Sequence, residues 1–116
     1  MPEHDDSVRL RDMLDHAREA VALAVSKSRA DLDANRLLEL SLLHLITIVG
    51  EAASRIPRDV QSQHDQVPWD QIVGMRNRIV HGYASINLDI LWQTVVEDLP
   101  PLISDLEKIV PPEKSE

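Results

Sequence analysis

The sequence predicts an all-α protein, an antiparallel four-helix bundle that forms a homodimer. Three observations carry this. Apolar residues make up 43% of the 116-residue chain but aromatics only 3%, with no Phe, so the core is aliphatic. There are only three glycines, and no run of β-branched residues alternates with polar ones, which favours helix over sheet. Long stretches place apolar residues at i, i+3, i+4 and i+7, the spacing of one buried helical face. A chain of this length makes one domain, burying roughly two-thirds of the surface its unfolded form exposes. That domain is expected over residues 1–110, with 111–116 a frayed tail.

The first helix is expected from about Asp6 to Ser26, with Leu10, Met13, Leu14, Ala17, Val21, Ala24 and Val25 as its stripe and Asp5, Asp6 or Ser7 as cap. "SKSRADLDAN" reads as a polar connection. The second helix is expected from about Arg36 to Arg55, capped by Asp33 or Asn35 and stopped before Pro57. It is apolar on more than one side, and a helix of that kind is buried on more than one side. Part of it is therefore expected to face a second subunit. His44, Thr47, Glu51 and Ser54 or Arg55 form its narrow polar stripe. "PRDVQSQHDQV" reads as a short helical turn or loop. The third helix starts at Pro68, a residue suited to a first helical position, and runs to about His81. Gly82 suits the left-handed conformation that closes a helix. The fourth begins after Asn87 and runs to about Val110, and Pro100-Pro101 should kink it.

Composition narrows the function. Without cysteine, disulfides, thiolate-bound zinc and cysteine nucleophiles are excluded. "MPEHDDSVRL" has no basic segment followed by an apolar one, so no signal peptide is expected there. The apolar stretch "LLELSLLHLITIV" is shorter than the roughly 20 residues a bilayer span needs. A cytoplasmic protein with no membrane partner is expected. A net charge of −8 disfavours general affinity for nucleic acid, yet from Gln71 to Leu88 there is no Asp or Glu, while Arg76, Arg78 and His81 all fall in that window.

That window contains "MRNRIVHGY", Met75 to Tyr83. By spacing, Arg76 follows Ile72 by four and precedes Val80 by four, which puts it on the inner side of the helix. A guanidinium there needs an anion or several acceptors. His81 lies five positions on, roughly 140° round a helix. Arg76 and His81 converge if the helix end turns inward at Gly82, or if two copies meet across a two-fold axis. Asn77 and Arg78, four and three residues before His81, can flank the imidazole. This set suits metal-free RNA cleavage. A histidine takes the 2′-hydroxyl proton, and an arginine stabilises the charge that builds on the attacked phosphate. A metal-dependent nuclease would need carboxylates here, so neither a metal nor a cofactor is expected. The competing reading is structural: an Arg and a His five apart on a helix occur by chance, and a His before a helix-ending Gly can cap carbonyls.

"RNRIVHGY" resembles the Arg-x4-His-x-Tyr motif of the HepT-like toxins, small helical ribonucleases of the HEPN superfamily. Arg76, His81 and Tyr83 match its three defining positions, and Asn77 matches the polar residue after the Arg. "IVGEAASRIP", "VPWDQIVGMRN" and "NLDILWQTVVEDLPPLI" resemble the family's other blocks, in order. The resemblance implies a dimeric HEPN-like bundle with the two motifs near the interface. It implies a toxin of a type VII-like toxin-antitoxin system, a metal-independent endoribonuclease with Arg76 and His81 as catalytic residues. It also implies a minimal nucleotidyltransferase antitoxin that adds AMP to Tyr83. The alternative is a non-catalytic module that binds a nucleotidyltransferase or a nucleotide through the same cleft.

Glu51 has two readings, an i, i+4 ion pair with Arg55 or a partner of Arg76 or Arg78 that supports the site. Asp12 and His16 are spaced for a metal but lack a matching second pair. Trp69 and Trp92 read as core or interface anchors rather than base-stacking platforms.

Overall fold

The computed structural model describes residues 4–82 and 85–112. They form a helical bundle around one aliphatic core, as the composition requires. Helix α1 (His4–Ala24) buries Leu10, Met13, Leu14, Ala17 and Ala20. It lies antiparallel to α3 (Arg36–Ser54), since the Arg9 guanidinium near its start donates to the Arg55 carbonyl at the far end of α3, 3.3 Å away. It is also antiparallel to the last helix. Arg18 pairs with Glu107 at 2.6 Å, and Arg11, further back along α1, donates to the Pro111 carbonyl.

The segment "SKSRADLDAN" is not a simple connection. It holds α2 (Arg29–Ala34). The Asp31 carboxylate accepts the Ser28 amide proton at 2.6 Å, one half of a capping box, and Leu32 is fully buried. Arg29 then ties α2 to Asp89 at 2.7 Å. That hydrogen bond is the main cause holding the Arg29 guanidinium above its ordinary range. The pair lies in solvent and stabilises little.

Asn35 caps α3, its side chain accepting the Leu38 amide at 3.0 Å. Leu42, Ile46, Val49 and Ala53 are fully buried. The expectation that this stretch is too short to span a bilayer needs correcting. At 19 residues α3 is long and apolar enough by length and composition, but here it is the helix against which α1, α5 and α6 pack. Leu37 and Leu40 remain 76% and 43% exposed on it, so only its first turns leave a large apolar surface outside the protomer.

Helix α4 (Arg58–Gln63) turns the chain. The Trp69 indole donates to the carbonyls of Gln61 and His64 at 3.1 and 3.0 Å, locking that corner. Trp69 is buried and Trp92 packs on the core's edge, the anchor roles expected of them. The expected single helix from Pro68 to His81 is in fact two short ones, α5 (Trp69–Val73) and α6 (Met75–Ile79). Pro68 caps α5 from outside rather than opening it, and Gly74, with ψ near zero, breaks the run. Val80 is extended (φ −100°, ψ 123°). Here consecutive β-branched residues, Ile79 and Val80, favour strand over another helical turn. The chain enters a two-stranded antiparallel ribbon, β1 (Val80–His81) and β2 (Ser85–Ile86), pairing Val80 with Ile86 and His81 with Ser85.

Asn87 caps α7 (Leu88–Gln93), its side chain accepting the Ile90 amide at 3.0 Å. The proline pair interrupts the final helix as a π turn, Thr94–Asp98, where the Leu99 amide reaches back to Thr94. Pro100 and Pro101 have no amide hydrogens, and the wider turn accommodates their rings. They open α8 (Leu99–Glu107), and Leu99, Leu102 and Leu106 return to the core.

Helices α3 and α5 meet closely at Gly50. A Cβ there would lie 3.2 Å from the Ile72 carbonyl oxygen and 3.6 Å from that of Val73. Gly50→Leu is expected to wedge the two helices apart and cost about 1–3 kcal/mol. Gly50→Ala should cost less, because alanine regains about 1 kcal/mol of helix propensity. Urea unfolding of both variants measures the difference.

Candidate active site

Arg76, Asn77 and Arg78 share α6, a helix of barely one and a half turns. Its own bonds cannot hold so short a helix. Met75 and Ile79, one helical turn apart, are 2% and 0% exposed and pin it to the core. The opposite face therefore points outward, and Arg76, Asn77 and Arg78 are all exposed. This corrects the placement of Arg76 on the inner side. The break at Gly74 resets the helical phase, so the buried pair is Met75 and Ile79 rather than Ile72 and Arg76.

His81 is not on that helix. It lies on β1, exposed, next to half-buried Val80. Strand alternation explains the pair, since neighbouring side chains on a strand take opposite faces. The Asn87 amide donates to the Ile79 carbonyl at 2.7 Å, joining the start of α7 to the end of α6 and closing the ribbon's base. Gly82 follows His81 with φ +66°. The left-handed conformation expected of it is present, though it turns a ribbon instead of ending a helix. Tyr83 lies outside the described residues.

The charges follow from this arrangement. Arg78 folds back along α5 and donates to the Gln71 carbonyl at 3.1 Å. Among the described residues, Arg76 and Arg78 form no ion pair, whereas Arg18, Arg29, Arg36 and Arg58 all do. The acid-free segment thus presents two guanidiniums without ion pairs on α6 and an exposed imidazole on the adjoining β1.

Glu51 lies elsewhere in the protomer. It lines a cleft of about 450 Å³ between α1 and α3, with Asp5, Arg9, Asp12 and Arg55 among its neighbours. Among the described residues it makes an ion pair with neither Arg55 nor the motif arginines. His16 turns its Nδ1 to the Asp12 carbonyl at 2.7 Å, which occupies the ring with the backbone of its own helix.

Sequence reasoning missed Ser85, the partner of His81 across the ribbon, and the second role of Asn87 in closing it. The available signal was Val80 and Ile86, two β-branched residues around a glycine turn.

Arg76 and His81 carry none of the packing. Arg76→Ala and His81→Ala should each shift stability by no more than about 0.5 kcal/mol, whereas Ile79→Ala should cost about 2–5 kcal/mol. Thermal unfolding of the three variants checks the contrast.

Comparison with known proteins finds a matching family model and relatives named as "probable" or "putative" ribonucleases. A family model described as "Ribonuclease HepT-like" matches residues 13–109. A protein of Thermococcus cleftensis named "Probable ribonuclease HepT" is 30% identical over 103 residues, which cover 85% of this chain and 94% of that protein. One of Caldanaerobacter subterraneus, named as a "Putative RNase", is 32% identical over 78 residues, 67% of this chain and 70% of its own. One of Methanocaldococcus jannaschii, also named as a "Putative RNase", is 28% identical over 107 residues, 92% and 98% of the two chains. No solved structure matches significantly.

Proposed function

The chain belongs to the HepT-like ribonuclease family, and we propose that it acts as a metal-independent endoribonuclease through His81 and Arg76. The observation that carries this is the exposed pairing of α6 with β1. Two guanidiniums that form no ion pair among the described residues and an exposed imidazole stand on adjacent elements, each anchored by buried neighbours, in a segment without carboxylates.

His81 takes the proton from a 2′-hydroxyl, and that oxygen attacks the adjacent phosphorus. The bond to the 5′-oxygen breaks. The products are a 2′,3′-cyclic phosphate and a 5′-hydroxyl, the latter taking its proton from imidazolium or water. The imidazole suits this because it exchanges a proton near neutral pH. Arg76 binds the phosphate and stabilises the charge that grows on it. Arg78 and Asn77, also exposed on α6, support the phosphate and the imidazole. Glu51 makes no ion pair with either motif arginine among the described residues, and the mechanism gives it no part.

The same reading makes the protein the toxin of a toxin–antitoxin pair, active on RNA in the cytoplasm. The homodimer is proposed through the exposed start of α3, where Leu37 and Leu40 lie in solvent in the protomer. The proposed antitoxin is a minimal nucleotidyltransferase that adds AMP to Tyr83. The added phosphate would pair with the arginines of α6 and compete with RNA.

Purified protein is expected to cleave total RNA in the presence of EDTA and to leave cyclic phosphate ends. His81→Ala should lower the rate by about 10²-fold or more. Activity lost on chelation and restored by magnesium would point to a different chemistry. A stable protein that binds the nucleotidyltransferase without cutting RNA would leave the interaction module in its place. Tyr83→Phe should keep most cleavage yet escape modification, read by intact mass after co-expression with the nucleotidyltransferase.

A further inference from the structure

Resting on the ribonuclease reading, we propose that Gly82 is a positioning residue for His81, and that its left-handed backbone sets where the imidazole stands relative to Arg76. Gly82 is the one described residue with positive φ, at +66°. Among the described residues, a Cβ built on it meets nothing within 4 Å beyond its chain neighbours. Space therefore places no demand for glycine here, and the demand is torsional. An L-residue resists this conformation because its Cβ crowds its own backbone.

The ribbon decides where that resistance is released. Its base is fixed. Ile79 is fully buried, Val80 and Ile86 pack against the core, and the Asn87 amide closes on the Ile79 carbonyl. Toward its tip the described residues His81, Gly82 and Ser85 are all exposed. Only two residue pairs hold the strands together, and so short a ribbon is marginal on its own. A strained residue at 82 relaxes by moving the tip, and the side chain beside it at the tip is His81. Arg76, anchored separately through Met75 and Ile79, stays in place. The result is a base displaced from an unmoved phosphate clamp.

The test compares Gly82→Ala with Gly82→Asn. Asparagine is larger than alanine but adopts the left-handed conformation more readily. On a defined oligoribonucleotide, Gly82→Ala should lower kcat by about 10- to 100-fold, the range a misplaced catalytic group produces, with KM within about twofold. Gly82→Asn should recover most of that loss despite its bulk, and the melting temperatures of the two variants should match. Equal loss in both, a change confined to KM, or full activity of Gly82→Ala would overturn the proposal. If the wild-type protein cleaves no RNA, the ribonuclease reading fails separately. The proposal is then decided by the imidazole resonances of His81. Displacement in Gly82→Ala with wild-type positions in Gly82→Asn supports it, and coincidence in all three chains overturns it.

Discussion

The close approach of α3 to α5 at Gly50 is the constraint on which the site depends. Without a side chain at that point, the carbonyls of Ile72 and Val73 come within 3.2 and 3.6 Å of where a Cβ would be. That contact fixes the end of α5, and Gly74 follows at once. The break there sets the roll of α6, which puts Met75 and Ile79 inward. Arg76 is then left exposed, and Arg78, also exposed, reaches back only to the Gln71 carbonyl. The charged surface is the by-product of a close helix contact about one helical turn earlier in the chain, and the ribbon bearing His81 extends from the same short helix.

Electrostatics follow from the same geometry. A chain of net charge −8 repels RNA over most of its surface. Most of its arginines are already committed. Arg18 faces Glu107, Arg29 faces Asp89 and Asp33, and Arg36 faces Glu39. Neutralised pairs attract phosphate weakly. The motif arginines lack such partners among the described residues and lie in a stretch without Asp or Glu, so attraction is favoured there and the acidic remainder discourages binding elsewhere. An overall acidic charge and a polyanionic substrate are compatible when the positive groups are segregated in this way.

Much of the fold was legible in the sequence because long helices advertise themselves. The stripe of α1, the Asn35 cap and the all-round apolar character of α3 are repeated, local signals. The shorter elements were harder. In "SKSRADLDAN" the capping box at Ser28 and Asp31 was present, but Leu32 is its only buried apolar residue, too little for a periodicity to show. The stretch from Pro68 to His81 satisfied a helical period as a whole, and one glycine changed its phase. The candidate site was legible as a set of residue types and as a family motif. Its geometry was not, because Arg76 and His81 sit on different kinds of backbone, and spacing alone assumes one kind.

That change of backbone partway through the motif gives its spacing a rule of parity. Val80 turns toward the core and His81 away from it because strand residues alternate. One residue inserted between Ile79 and His81 would turn the imidazole toward the protein interior. Two would turn it outward again, one ribbon step further from Arg76. An insertion within α6 would instead rotate the arginines by about 100° each and pull Met75 or Ile79 out of the core. An insertion that keeps both the arginines and the imidazole outward must therefore fall after the helix, and in even numbers.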